Sequence, residues 1–168
     1  MLTENDFPAA DWNTLRDTQY LVGLAMLMAE SSGLGTIKES IALAQGIMEN
    51  QSSDFAFIRD MTSKAEMEAA QGSLRQRFGG TEAKPTKDAL QQAALEQVRA
   101  AMSILSGKAT KEEVDAYSKL LYGLAETVAN AATEGGFLGF GGKRVSVGEQ
   151  RFLDQLRDTL HLERVSKA

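Results

Sequence analysis

The sequence predicts an all-α protein, a single domain of six to seven helices over residues 1–168. Three observations predict this class. The chain has only two prolines, and it is rich in alanine, leucine, glutamate and glutamine, which favour helices. Its apolar residues also recur at three- and four-residue spacing. No segment alternates apolar and polar residues as a half-buried strand would.

The first helix is expected to enter through residues 6–8, because proline is tolerated in the first turn of a helix. It should stop near residues 31–33. Its apolar face is predicted to consist of Trp12, Leu15, Val22, Met26 and Ala29.

Thr36 and Glu39 have the S/T-x-x-E spacing of a capping box, in which the hydroxyl and the carboxylate each accept a backbone N–H. A second helix should therefore run from about Thr36 to Glu49. Its buried stripe is predicted to consist of Ile37, Ile41, Ala44 and Met48.

Two shorter helices are expected next. Ser52 to Asp54 can cap a helix through Met61, and Thr62 or Ser63 can cap another that ends at Gly79. Both predictions use the preference of small polar residues for helix starts and of glycine for helix ends.

Residues 79–86 form the best linker in the chain. Two glycines end a helix here, and Pro85 disfavours helical dihedral angles in the residue before it. A boundary between two halves of the domain is predicted at this place. Thr86 should cap the following helix, which ends at Gly107.

Two further capping boxes predict the last helices. Thr110 and Glu113 open a long helix through about Ala132, and Ser146 and Glu149 open the final one. The apolar residues of the final helix are Phe152, Leu153, Leu156 and Leu160.

An internal repeat relates the first of these long helices to the one that starts near Thr110. Residues 23–25 and 123–125 both read Gly-Leu-Ala, one hundred residues apart, and each helix is followed by a glycine-containing turn and a capping box. A glycine inside a helix costs about 1 kcal/mol relative to alanine. Gly23 and Gly123 therefore predict equivalent close helix crossings in two duplicated hairpins. Chance identity between alanine-rich helices is the alternative.

Acidic residues surround both turns of this repeat: Glu30, Glu39, Glu134 and Glu149. The arrangement resembles that of tellurite-resistance TerB-like helical domains over residues 20–50 and 117–160. The Ala-Asp-Gly of that pattern is replaced here by Glu30-Ser-Ser-Gly and by Glu134-Gly-Gly. The resemblance implies duplicated hairpins with an acidic, metal-associated surface between them, in an intracellular, stress-associated and non-enzymatic protein.

Carboxylates without histidine or cysteine suit a hard cation such as Ca²⁺ or Mg²⁺. Two alternatives stay open. Glu39 and Glu149 are also explained as capping-box residues, with Glu30 and Glu134 solvated. General acid–base chemistry in a small-ligand pocket could also use these carboxylates if burial separated their pKa values.

The glycine-rich loop at residues 135–142 does not have the spacing of a phosphate-binding loop. Phe137 stands where the first glycine would be, and Arg144 follows the lysine in place of serine or threonine. We expect Phe137, Leu138 and Phe140 to fold back over the core. Contact with an unknown protein partner, a second copy or, peripherally, a membrane surface is the alternative.

Composition excludes several function classes. The chain has no cysteine and one histidine, His161, so thiolate chemistry and cysteine-ligated metals are excluded. A charge of −5 without a basic patch argues against nucleic acid. The longest apolar run, residues 20–29, is shorter than the ~20 residues of a membrane span, and the acidic start is unlike a signal peptide. These features predict a cytoplasmic protein.

Overall fold

Seven α-helices and two short 3-10 turns make up the part of the chain that the computed structural model describes, residues 1–29, 36–79, 85–133 and 145–162. The side chains of residues 36–39 and 132–133 are outside this description. The helices are α1 (Ala9–Leu27), α2 (Thr36–Glu49), α3 (Ala56–Met61), α4 (Lys64–Phe78), α5 (Lys87–Ser106), α6 (Lys111–Thr133) and α7 (Val147–Thr159). The 3-10 turns are Glu4–Asp6 and Asn50–Ser52. The described residues contain no strand, which confirms the all-α prediction, and none of their helices is long and apolar enough to cross a membrane.

The predicted helix starts are confirmed at four places where a side chain caps the backbone. The hydroxyls of Ser63 and Thr86 accept backbone N–H groups of the first turns of α4 and α5. Thr110 with Glu113, and Ser146 with Glu149, form complete capping boxes. The start of α3 was predicted wrongly, because its N-cap is Phe55 and no side chain caps it.

The central helix of the bundle is α1. It packs against α5, α6 and α4 and also touches α2, while α2 lies on α6, and α7 lies on α5 and α6. As a result, every residue from Leu15 to Gly23 is buried, on all sides of the helix. The predicted one-sided apolar face was therefore too narrow. The predicted stop near Ser31 was also late, because α1 ends at Leu27.

The hydrophobic core takes residues from both sides of the predicted linker. Leu21 of α1, Ile47 of α2, Val98 of α5 and Phe152 of α7 belong to one buried cluster. The helix boundaries next to the linker are confirmed, since Gly79 caps α4 and α5 begins at Lys87. Residues 80–84 lie outside the described residues, and the boundary between two halves stays a prediction.

The predicted equivalence of Gly23 and Gly123 is wrong. A Cβ atom on Gly23 would lie 2.4 Å from Cδ1 of Leu43, so α1 and α2 approach closely there. A Cβ atom on Gly123 would meet no described atom within 4 Å. The close approach of α2 to α6 is instead made by Gly46, whose Cβ would lie 2.9 Å from Cδ2 of Leu124.

The buried side of α2 also differs from the prediction. Ile41 and Met48 are 53% and 56% exposed, whereas Leu43 and Ile47 are buried. The contacts with α1 and α6 select this second apolar stripe.

Helix α7 ends in a Schellman motif. The N–H of Leu162 donates to the carbonyl of Arg157, and the N–H of His161 donates to the carbonyl of Asp158. His161 has a φ of 54°, the left-handed conformation that favours glycine at this position.

Candidate functional site

The ends of α1, α5 and α7 meet at one corner of the bundle. The carbonyl oxygen of Ala29 lies 2.9 Å from the position that a Cβ atom on Gly148 would occupy. Any side chain at residue 148 would overlap that backbone, so only glycine fits. The Nζ atom of Lys87 lies 3.2 Å from the same position, which brings a positive charge to this corner.

Glu149 lies next to this contact and is the one predicted cation ligand whose side chain is described. Its Oε2 accepts the N–H of Ser146 at 2.7 Å, and its own N–H donates to the Ser146 hydroxyl at 3.2 Å. The residue is 2% exposed. The predicted capping role is therefore confirmed. Because an ionised carboxylate has about four acceptor positions, this bond leaves capacity for a further donor or a cation.

The side chains of the other predicted site residues lie outside the described part of the chain. Glu30, Glu134, Phe137, Leu138 and Phe140 lie outside the described residues, as does the glycine-rich loop. Glu39 is in α2, but its side chain is not described.

What the structure does bring together is Ala29, which precedes Glu30, and Gly148, which precedes Glu149. Within residues 1–29, 36–79, 85–133 and 145–162, no three aspartate, glutamate or histidine side chains form a metal-binding group. The meeting of the two chain segments is thus observed, and a complete set of ligands is not.

A second concave feature, which the sequence did not predict, is a groove of about 430 Å³ between α1, α2 and α4. Its apolar lining comes from all three helices: Tyr20, Leu24, Leu27, Leu43, Ala44, Met67, Leu74 and Phe78. Polar side chains along its edge are Ser40, Gln71 and Arg75. A cavity of this size falls in the range of small-molecule sites, about 300–1,000 Å³.

A buried ionic network under this region joins α1 to α4. The Arg16 guanidinium donates to Asp17 at 2.7 Å and to Glu66 at 3.2 Å, and the Ser73 hydroxyl donates to Asp17 at 2.6 Å. Burial opposes the charge of Arg16, but hydrogen bonds and the charges of both carboxylates outweigh it and raise the pKa of the guanidinium. The indole N–H of Trp12 also donates to Glu66 at 3.1 Å.

Sequence reasoning missed this network, although a signal exists. Apolar residues occur on all sides of α1, which is typical of a helix buried on every face. Polar residues inside such a helix need buried partners.

Tyr20 lies at the boundary between the network and the groove. Its residue is 6% exposed, and its hydroxyl has no hydrogen-bond partner among the described atoms. Burial raises the pKa of the phenol, although the nearby Arg16 charge acts in the opposite direction. Tyr20 is also one of the residues that line the groove.

The chain was compared with protein-family models, with curated proteins and with solved structures, and no significant match was found in any of the three. The resemblance to TerB-like domains therefore depends on the turn residues of the sequence.

Proposed function

We propose that this chain is a non-enzymatic, stress-associated helical domain that binds a divalent cation where the ends of its two predicted hairpins meet, as the TerB resemblance implies. The observation that supports the proposal is the contact between Ala29 and Gly148. Each of these residues directly precedes a predicted acidic ligand, so the chain segments next to Glu30 and Glu149 meet here.

The proposed ligands are Glu30, Glu134 and Glu149, with Glu39 completing the set. Their oxygens favour Ca²⁺ or Mg²⁺. Lys87 brings an ammonium group to the same corner, where it would repel a bound cation. Replacing Lys87 with glutamine should therefore tighten cation binding.

The experiment is thermal unfolding of chelator-treated protein, with calcium or magnesium added at increasing concentration. Binding to the folded state alone adds about 1.4 kcal/mol at ten times the Kd. For a chain of this size that corresponds to a rise in melting temperature of about 3–6 °C. Calorimetric titration with the same ions gives the stoichiometry.

Glu149→Gln and Glu113→Gln form a matched pair for this test. Both residues are buried carboxylates at the same position of a capping box, but Glu113 opens α6 and lies away from the proposed site. Glutamine preserves the capping pattern. Glu149→Gln should abolish the rise produced by the cation, and Glu113→Gln should retain it.

Two results would contradict the proposal. One is a wild-type melting temperature that does not change with calcium or magnesium. The other is a Glu149→Gln variant whose change in stability is the same with metal and with chelator, as a pure capping role predicts.

A second candidate function is self-association or protein binding through Phe137, Leu138 and Phe140. One supporting observation is that Val147, which follows those residues in the chain, is 79% exposed. A second is that Ile41 and Met48 of α2 are also exposed. Exposed apolar side chains of this kind occur at interaction surfaces. Sedimentation velocity of the wild type and of Phe140→Ala tests self-association, and co-sedimentation with liposomes tests membrane contact.

A further inference from the structure

The groove between α2 and α4 is open because both helices pack on α1 and leave a space between them. Leu24 and Leu27 of α1 form the floor, with the ring of Tyr20. The contacts of α4 with α1 include the polar network through Arg16 and Asp17, and only Ala70 of α4 is fully buried. Other apolar residues of α4 are only partly buried against the core. Of these, Met67, Leu74 and Phe78 line the groove.

The charge of the groove differs from the charge of the chain. The whole protein has a net charge of −5, but no acidic residue is found among the described residues that line this groove. Among the described residues that line it, Arg75, near the C-terminal end of α4, is the only charged one. Its guanidinium makes no hydrogen bond or ion pair with a described residue.

Gln71 lies one helical turn before Arg75 and faces the same groove. Together they form a short polar edge with a single positive charge beside a long apolar floor. Met67 adds a flexible thioether that can adapt to ligands of different shape.

We infer that this groove binds a small amphiphile with one apolar chain and one anionic head group, such as a medium-chain carboxylate. The apolar chain lies along Leu24 and Leu27, and the carboxylate pairs with Arg75. The volume of about 430 Å³ accommodates such a molecule. The positive charge of Arg75 on the described lining favours an anionic head group over a cationic one.

This inference is independent of the proposed cation site, which lies at a different set of residues. A second copy of the chain, or residues 137–140, could also occupy an apolar groove. Neither of them would depend on the charge of Arg75, whereas an anionic ligand would.

The test is calorimetric titration of the full-length protein with decanoate below its micelle concentration. Decyltrimethylammonium, which has the same chain and the opposite charge, is the control ligand. Decanoate should bind with a stoichiometry of one and more tightly than the cationic analogue. Arg75→Gln should weaken decanoate binding about three- to fivefold, the effect of one exposed ion pair. Arg99→Gln, which removes an exposed arginine outside the groove, should leave it unchanged.

Ala44→Phe provides a second variant, because it fills part of the groove from α2. It should abolish binding of decanoate while the protein keeps a cooperative thermal transition. The inference would be overturned by no binding of decanoate by the wild type, by equal binding of both ligands, or by equal loss of affinity in Arg75→Gln and Arg99→Gln. A stable dimer that buries the groove and is not dissociated by decanoate would also overturn it.

Discussion

Alanine substitution at Gly23 and at Gly123 should have opposite effects on stability, although the two glycines occupy the same position of the predicted repeat. The added methyl group at residue 23 would lie 2.4 and 2.5 Å from the two Cδ atoms of Leu43. At residue 123 it would meet no described atom within 4 Å. The two substitutions therefore differ in packing and are alike in helix propensity.

The magnitudes follow from these two contributions. Alanine is favoured over glycine inside a helix by about 1 kcal/mol. Overpacking a core contact costs about 1–3 kcal/mol. Gly123→Ala should therefore stabilise the protein by about 1 kcal/mol, since only propensity acts. Gly23→Ala should destabilise it by up to about 2 kcal/mol, because Leu43 must move or α1 and α2 must separate.

Chemical denaturation monitored by circular dichroism measures both changes as differences in the free energy of unfolding. Gly72→Ala on α4 is the control, because its Cβ also meets nothing within 4 Å among described atoms and should show the same gain as Gly123→Ala. Equal stabilisation by Gly23→Ala and Gly123→Ala would refute the packing argument. Destabilisation by Gly123→Ala would show a close contact at α6 and restore the predicted symmetry.

Substitutions at two further positions test a buried carboxylate and a left-handed backbone conformation. The Glu113 carboxylate is buried, which by itself raises its pKa, but the N–H groups of Leu2 and Thr110 donate to it at 2.7 and 2.9 Å, and its pKa is lowered overall. A lowered pKa stabilises the fold above the unfolded-state value of about 4.3, and this stabilisation is lost as the pH falls through the lower folded-state value. The advantage of the wild type over Glu113→Gln should therefore shrink on acidification below about pH 4, and a difference independent of pH would contradict this. His161→Gly should raise stability by about 0.5–1 kcal/mol, because glycine adopts the left-handed conformation without strain, whereas His161→Ala should give no such gain in the same denaturation assay.

The helix starts were predictable because their signals are local. A hydroxyl and a carboxylate three residues apart satisfy backbone groups of the same turn, so Thr110 with Glu113 and Ser146 with Glu149 could be found without knowledge of the fold. Glycine marked the ends of α4 and α5 for the same reason. The end of α7 carried no such signal, because a histidine occupies the position where glycine is usual.

The features that depend on packing between helices were not predictable in this way. Apolar residues on all sides of α1 indicate a buried helix, but they do not show which side chains pair with Arg16 and Asp17. Four neighbouring helices enclose α1, and the partners are Glu66 and Ser73 of α4. The groove likewise arises from three helices, of which α4 is separated from α1 and α2 by α3. For the cation site, the two turns lie outside the described residues, and the structure shows only that Ala29, before the first turn, lies against Gly148, after the second.

Helix α2 shows why a periodic pattern alone does not select the buried face. Its sequence contains two overlapping apolar stripes, one with Ile41 and Met48 and one with Leu43 and Ile47. The second stripe faces the interior because glycines permit close approach on that side, Gly23 on α1 against Leu43 and Gly46 on α2 itself. The sequence signal for the buried face of α2 therefore lies in two glycines, and one of them is on another helix.

This explanation predicts a contrast between the two stripes. The double substitution of Ile41 and Met48 by glutamine should change the free energy of unfolding by at most about 0.5 kcal/mol per site, as is usual on an exposed surface. Ile47→Ala should cost about 2–5 kcal/mol, because it removes fully buried apolar volume. Denaturation of both variants at two protein concentrations separates the outcomes. A large, concentration-dependent loss in the glutamine variant would mean that a second copy covers Ile41 and Met48, and their exposure in the single chain would then mark an interface.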